Sequence, residues 1–309
     1  ANMTAFRLNK RGVGQDQQLA RFVALAHTEG CGNNAGPSEE MQTRTLLGYV
    51  THPLVKHCLL MEHGCEKTHN DHYRHAAAAL GIDLERLGWA SIQLDGGIEK
   101  VMEKAEAWFR QELAADGPPT QEQAGLEAMR LGILSDGPVD ERLAGRLARL
   151  TKIVVKAGGT VVAPENTGLL STPAYRDQVL SAPTVLPSLG YGEPLRTAGF
   201  HLMETPTEHW VETLTGLAAT GVEVILAAVG AQPMQTHPLV PVVQVTAESA
   251  VAALYGDDLD AALTGDAAGW VEQLLDLLVR TLQREQTPRL YQQGNIDFQL
   301  TRGRLGVTL

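Results

Sequence analysis

The sequence has few cysteines, no excess of basic charge and no long apolar run, and each absence excludes a class of protein. Three cysteines in 309 residues cannot staple a small secreted domain, so we expect a reducing compartment and place the protein in the cytoplasm. The net charge is −11 with His neutral and the basic residues are scattered, which argues against a nucleic-acid partner. No stretch approaches the roughly 20 apolar residues of a membrane-spanning helix, so we expect no membrane partner.

The overall pattern alternates strands and helices. Apolar residues make up 44% of the chain, which is enough for a substantial core. We predict an α/β fold with two Rossmann-like halves, mainly parallel sheets and a cleft between the halves. The segment 116–120, Asp-Gly-Pro-Pro-Thr, is the best candidate linker. The predicted domains are residues 1–128 and 129–309.

The predicted elements follow from hydrophobic periodicity, caps and glycine or proline punctuation. The predicted strands are residues 21–26, 56–62, 89–94, 131–134, 160–163, 222–229 and 240–245. The predicted helices are residues 39–49, 68–80, 97–114, 121–128, 139–157, 207–219 and 267–284. Residues 171–197 are irregular and proline-rich, which is typical of a functional loop.

Chemically active residues crowd into residues 48–75, which hold six of the ten histidines and two of the three cysteines. The loop from His63 to Lys67 leaves the carboxyl end of a predicted strand and enters a predicted helix. Ligands bind at such positions in open α/β sheets because the strand ends open into a crevice and the helix dipole favours an anion. We interpret His52, before Pro53, as part of a turn.

Polar loops follow other predicted strands as well. The strand at residues 21–26 leads into His27, Glu29 and Cys31 among glycines, and Asn33 and Asn34 follow them. In the second half, Ser135 and Asp136 follow one strand and Asn166 follows the next. Their common place after strands favours a site in the predicted cleft.

The order of several short motifs resembles the main body of the altronate and galactarate dehydratases. The resemblance covers the chain from about residue 11 onward. The motifs that carry it are Gly30-Cys31-Gly32, Thr45-x-x-Gly48, His52-Pro53, Gly64-Cys65-Glu66, Ser135-Asp136-Gly137, Gly158-Gly159-Thr160, Glu165, Pro238 with Pro241, and Gly256-Asp257-Asp258-x-Asp260. The resemblance implies a hydro-lyase that removes water from a small acidic sugar, an aldonate or aldarate, to give a 2-keto-3-deoxy acid.

The resemblance also implies a divalent metal, with iron(II) expected and manganese or zinc as alternatives. Members of this family carry a small amino-terminal domain, so we expect a separate small subunit to supply it, and we expect homo-oligomers. The Cys-Gly-Gly run of the family is replaced here by Gly132-Ile133-Leu134, and its aromatic loop is replaced by residues 138–142. Loss of these elements leaves open a diverged enzyme or a non-catalytic relative.

Dehydration beside a carboxylate needs a base for the C2 proton, an acid for the 3-hydroxyl and stabilisation of an enediolate. The candidate residues fall into three groups by role. Predicted catalytic residues are Glu66, Asp136 and His69. Predicted substrate-binding residues are Asn33, Asn34, Ser135, Asn166 and Lys67. Predicted metal ligands are His27, Cys31 and Cys65.

Each candidate also has a structural interpretation. A carboxylate at a helix start can be a cap, a histidine at a strand end can belong to the core, and a Gly-Cys-Gly sequence can simply be a tight turn. Two functional alternatives also stay open. One is a regulatory relative that binds an acidic sugar or metal without turnover, and the other is a hydrolase or carbon–sulfur lyase that acts on a related small acid.

Overall fold

A computed structural model describes residues 1–17, 19–29, 36–117, 122–182 and 185–303. These residues form two compact units, of which one comprises Ala1–Gln123 and the other begins at Ala124. Strands and helices alternate and every strand pairing is parallel, so the predicted α/β class is confirmed. Within the described ranges, no helix combines the length and the apolar character needed to cross a membrane.

In its described residues, the first unit contains a two-stranded parallel sheet and four α-helices. Its elements are α1 (Asn2–Lys10), α2 (Pro37–Val50), β1 (Cys58–Glu62), α3 (Asn70–Ala79), β2 (Leu87–Ser91) and α4 (Ile98–Ala115). The strands pair from Cys58 with Leu87 to Glu62 with Ser91. Helix α3 packs against this sheet because Tyr73 and Ala77, one helical turn apart, present one apolar face.

A second small core joins the two ends of the first unit. Leu8 of α1 and Leu113 of α4 are buried together, and Phe22 packs edge-to-face on Phe109 with ring centroids 5.0 Å apart. The predicted strand at residues 21–26 is wrong. The backbone N–H and C=O of Phe22 bond to the side chain of Asn9 at 2.8 Å each, so a side chain replaces the strand partner that the apolar pattern suggested.

The second unit is built on a six-stranded parallel sheet. Its strands are β3 (Arg130–Ser135), β4 (Thr160–Pro164), β5 (Gly199–Met203), β6 (Val224–Ala228), β7 (Val242–Thr246) and β8 (Ala261–Ala262). Its helices are α5 (Glu141–Lys156), α6 (Gly168–Ser171), α7 (Pro173–Val179), α8 (Trp210–Ala219), α9 (Ser249–Tyr255), α10 (Trp270–Leu282) and α11 (Arg289–Gln292). The order across the sheet is β5-β4-β3-β6-β7-β8.

Helices cover both faces of this sheet, which explains why its strands are continuous apolar runs. Leu131 and Ile133 of β3 face one side, where they join the cluster that contains the buried residues of α5 and α10. The intervening Gly132 faces the other side, where a Cβ atom would lie 3.1 Å from the side chain of Leu217 in α8. Successive residues of β3 thus pack against helices on opposite faces of the sheet.

The structure differs from the predicted elements mainly where segments are short or polar. The predicted helix at 121–128 is wrong in its described part, which is a 3-10 turn limited to Leu126–Ala128. The segment at 171–197 is less irregular than predicted because α7 lies within it. Helix α1, strand β5 and helix α9 were not predicted from the sequence.

Candidate active site

The strand order of the second unit creates a topological switch point. The chain runs outward from β3 through β4 to β5, then crosses to β6 on the other side of β3 and continues outward to β8. The loops that follow β3 and β6 therefore diverge, and a crevice opens at the carboxyl ends of these two strands. This is the position where open α/β sheets bind their ligands.

A cavity of about 490 Å³ lies at these strand ends. Its wall includes Ser135 at the end of β3, Asp136 directly after it, Asn166 after β4, and residues 232–235 after β6. Three residues that were predicted from the sequence, one catalytic and two substrate-binding, therefore line one cavity. Its size suits a ligand as small as a six-carbon acid.

Asp136 holds the loop after β6, which forms one wall of the cavity. Its Oδ1 accepts a hydrogen bond from the backbone N–H of Gly230 at 2.8 Å, and its Oδ2 accepts one from Ala231 at 3.3 Å. Both carboxylate oxygens are thus engaged by the loop that follows β6. A carboxylate that accepts two backbone N–H groups ties that loop to the end of β3.

Ser135 and Asn166 are also tied to the backbone. The Ser135 hydroxyl donates to the carbonyl of Gly137 at 2.6 Å, and Asn166 Nδ2 donates to the carbonyl of Thr207 at 2.8 Å. The loop after β3 approaches α6 so closely that a Cβ atom on Gly168 would lie 2.0 Å from the carbonyl oxygen of Gly137. Only glycine fits there, so this side of the cavity has a fixed shape.

Sequence reasoning missed the group that completes the cavity, Glu208, His209 and Trp210. Glu208 and His209 are exposed side chains just before α8, and Trp210 donates its ring N–H to the carbonyl of Gln235 at 2.9 Å. The omission follows from the missed strand β5, because without it nothing indicated that residues 204–209 leave the carboxyl end of a strand. The available sign was the segment Gly199–Met203, in which Phe200, Leu202 and Met203 are apolar.

The loop after β1 in the first unit is organised around Glu66. Its carboxylate accepts hydrogen bonds from the backbone N–H groups of His63, Gly64 and Cys65, at 2.5, 2.7 and 3.1 Å. Partial burial raises the pKa of the Glu66 carboxyl, but these N–H donors outweigh it and hold the pKa below its ordinary value. Gly64 has φ 113°, a left-handed conformation that lets the loop fold around the carboxylate.

Cys65, Lys67 and His69 follow on the same loop. Cys65 is exposed, and its Sγ lies 3.3 Å from Nδ1 of His63, a neighbour that sequence reasoning did not single out. Lys67 is exposed. His69 is the amino-terminal cap of α3, where its Nδ1 accepts the N–H of Asp71 at 3.2 Å.

Of the three predicted metal ligands, the structure describes His27 and Cys65. His27 is an exposed residue, yet neighbouring atoms desolvate its ring and lower its pKa, a shift that Glu29 and Glu66 partly oppose. Cys31, Asn33 and Asn34 lie outside the described residues. Within the described ranges, no three His, Cys, Asp or Glu side chains form a group that could hold a metal. The described donors alone therefore do not fit a metal site.

Two family models match the chain. The model for the second domain of D-galactarate dehydratase/altronate hydrolase matches residues 1–115, and the model for the C-terminal domain of D-galactarate/altronate dehydratase matches residues 183–301. No curated protein matches the sequence. Glu208 and His209 fall within the second match, whereas Ser135, Asp136 and Asn166 lie between the two matched segments.

Proposed function

Because the chain belongs to the D-galactarate dehydratase/altronate hydrolase family, we propose that it is a sugar-acid dehydratase whose chemistry takes place in the switch-point cavity. The substrate is an aldonate or aldarate, and the product is a 2-keto-3-deoxy acid. The single observation that carries this proposal is the cavity itself, where two carboxylates, an imidazole, amides and hydroxyls converge at the carboxyl ends of β3 and β6.

The reaction requires two proton transfers. A base removes the proton from C2, beside the carboxylate, the C2–C3 double bond forms as the C3 hydroxyl leaves, and an acid protonates that hydroxyl so that it departs as water. The resulting enol then tautomerises to the 2-keto acid. We assign the base to Glu208 and the acid to His209, because a carboxylate is basic at neutral pH and an imidazole can donate a proton.

The remaining cavity residues bind and position the substrate. Asp136 holds the loop after β6 through Gly230 and Ala231. The amides and hydroxyls that line the cavity suit the hydroxyl groups of a sugar acid, since each can both donate and accept hydrogen bonds. A phosphate-bearing dinucleotide is disfavoured, because Asp136 follows β3 and the segment 135–140 has a single glycine instead of a glycine-rich loop.

The first experiment is an assay of 2-keto acid formation on a panel of aldonates and aldarates. Replacing His209→Gln or Glu208→Gln should each lower kcat by about 100-fold or more, because each removes a proton-transfer group. Glu272→Gln changes an exposed carboxylate in the first turn of α10 and serves as the matched control. Equal turnover by all three variants would contradict the assignment of the base and the acid. If a sugar acid stabilised the protein without being turned over, that would favour the regulatory relative that binds an acidic sugar without turnover.

Four further expectations belong to this proposal. The cytoplasmic location, the small partner subunit and the homo-oligomer stay predictions from the sequence. The expected iron(II), or manganese or zinc, stays a prediction too, and no step above depends on it. Metal analysis of anaerobically purified wild type, His27→Ala and Cys65→Ala tests it directly, and loss of a near-stoichiometric metal in either variant would assign ligands.

A further inference from the structure

The loop that follows β6 forms one wall of the switch-point cavity. Its residues Gln232, Pro233, Met234 and Gln235 all line the cavity. Gln232 and Gln235 are exposed, and their amides can donate to and accept from the hydroxyl groups of a sugar acid. The position of this loop therefore determines where those amides meet a ligand.

The middle of this loop is held by a residue of the sheet, Gln244 in β7. The N–H of Met234 donates to Oε1 of Gln244 at 2.9 Å, and Nε2 of Gln244 donates to the carbonyl of Met234 at 2.5 Å. One side-chain amide thus bonds to both backbone groups of one loop residue, as an antiparallel strand partner would. Asp136 and Trp210 hold the two ends of the loop, so Gln244 fixes the part between them.

Glutamine is unexpected at this position of the sheet. Its neighbours Val243 and Val245 point to one face, where they join the apolar cluster of α5 and α10, and Gln244 points to the other face. Gln244 is buried, with 1% of the residue exposed. A buried amide is costly unless it is hydrogen-bonded, and both described hydrogen bonds of this amide go to Met234. The loop, and not the packing of the sheet, therefore explains the glutamine.

The backbone of Gln244 is itself fixed by the acidic motif at residues 256–260. The N–H of Gln244 donates to Oδ2 of Asp260 at 2.8 Å, and the N–H of Asp260 donates to the carbonyl of Gln244 at 2.9 Å. Oδ1 of Asp260 accepts the N–H of Arg289, at the start of α11, at 2.9 Å. This motif, one of those that carry the family resemblance, is thus connected to the cavity wall through Gln244.

We propose that Gln244 is a positioning residue, which sets the substrate-binding wall of the cavity with little effect on the proton-transfer pair. Glu208 and His209 have their own support at the start of α8. The N–H of His209 donates to Oγ1 of Thr207 at 3.0 Å, and its carbonyl accepts the N–H of Thr213 at 2.9 Å. This inference rests on the proposed function and adds that substrate binding and proton transfer depend on different anchors.

The test replaces Gln244 and separates KM from kcat. Gln244→Met keeps the approximate size of the side chain and removes both hydrogen bonds, whereas Gln244→Asn keeps the amide on a side chain that is one methylene shorter. For each variant we expect exchange of the Met234 amide hydrogen to become about tenfold faster, because its bond to the side chain is lost. With the aldonate or aldarate that the wild type dehydrates fastest, KM should rise about tenfold and kcat should change less than about threefold.

Thr151→Val is the matched control for a loss of buried hydrogen bonds in the same unit. Thr151 is buried in α5, where its Oγ1 donates to the carbonyl of Leu147 at 2.9 Å and lies 3.2 Å from the hydroxyl oxygen of Tyr175. None of these three residues belongs to the described cavity wall. Thr151→Val should therefore lower the urea midpoint and leave KM, kcat and exchange at Met234 unchanged, so a general loss of stability cannot imitate the expected result.

The outcomes separate this inference from the function on which it rests. Unchanged exchange at Met234 in both variants would show that Gln244 does not hold the loop, and faster exchange with an unchanged KM would show that the loop does not position the substrate. A fall in kcat as large as the expected rise in KM would overturn the separate anchors. If the wild type dehydrates none of the sugar acids, the proposed function fails, and the exchange data still decide whether Gln244 holds the loop.

Discussion

At the scale of single residues, Glu66 shows how a predicted catalytic carboxylate can be engaged by its own loop. Its pKa is held below the ordinary value of 4.5 because three backbone N–H groups outweigh the effect of burial. The folded state therefore gains stability from the ionised form above that ordinary value, and loses this gain as the pH falls through the folded pKa.

We expect Glu66→Gln to lower the free energy of unfolding by about 1 kcal/mol at neutral pH, at the low end for charged hydrogen bonds because the loop is partly exposed. The difference from wild type should vanish in acid, where both side chains are neutral. Urea unfolding across a pH series measures this, with Glu103→Gln, an exposed carboxylate in the middle of α4, as the control. A difference independent of pH would contradict the role of the charge.

The two buried histidines show what sequence can predict at this scale. The interpretation of His52 as part of a turn is confirmed, since its Nδ1 accepts the N–H of Leu54 at 3.1 Å. The same pentapeptide, Thr-His-Pro-Leu-Val, recurs at residues 236–240, where Nδ1 of the fully buried His237 accepts the N–H of Leu239 at 3.1 Å. Local geometry of this kind repeats with the sequence, whereas side-chain partners from distant segments do not.

At the scale of elements, α5 begins shortly after the loop that leaves β3 and packs its apolar face into the core. Its amino-terminal cap is Asp140, whose carboxylate accepts the N–H groups of Arg142 at 2.9 Å and Leu143 at 3.2 Å. We expect Asp140→Ala to destabilise the helix start by about 1 kcal/mol, and Asp140→Asn to cost much less because Asn also caps well. Amide hydrogen exchange in the first turn of α5 measures both variants. Unchanged protection in Asp140→Ala would contradict the cap.

Elements were predictable where periodicity was long and unbroken. The strand predicted at residues 131–134 and the helix predicted at 139–157 correspond to β3 and α5, because a buried parallel strand and an amphipathic helix each leave a strong pattern. The strand predicted at 21–26 failed because a similar apolar run can pack against a helix without pairing. Strand β5 was missed because it directly follows the proline-rich segment 171–197, and Glu208 and His209 were missed with it.

At the scale of the whole molecule, the order of strands in the sheet could not be predicted. Helices and strands follow from local pattern, but the order β5-β4-β3-β6-β7-β8 depends on which strands pair across tens of residues. That order places the ends of β3 and β6 side by side and so brings Asp136 to the loop at Gly230. The sequence could place Ser135, Asp136 and Asn166 after strands, but only the topology shows that they line one cavity.

Acid sensitivity is a property that many carboxylates determine together. The pKa lies below its ordinary value in six carboxyls with N–H or cationic partners, Glu66, Asp95, Glu106, Asp116, Glu127 and Asp140. Burial raises the pKa of Glu223 and Asp260 and works in the opposite sense. As the pH falls, the carboxyls with a lowered pKa bind protons in the unfolded chain before they do so in the folded protein. The free energy of unfolding should therefore fall as the pH drops below about 4.5.

The urea midpoint should therefore be nearly constant around neutral pH and fall steadily in acid. Asp116 bonds to Lys56 at 2.8 Å and to His57 at 2.9 Å with 21% of its side chain exposed, so Asp116→Asn should lower stability at neutral pH and make the acid decline shallower. Asp260→Asn should make the decline steeper, because it removes a carboxyl that binds its proton more tightly in the folded state. Parallel declines in wild type and both variants would show that these carboxyls do not determine the acid sensitivity.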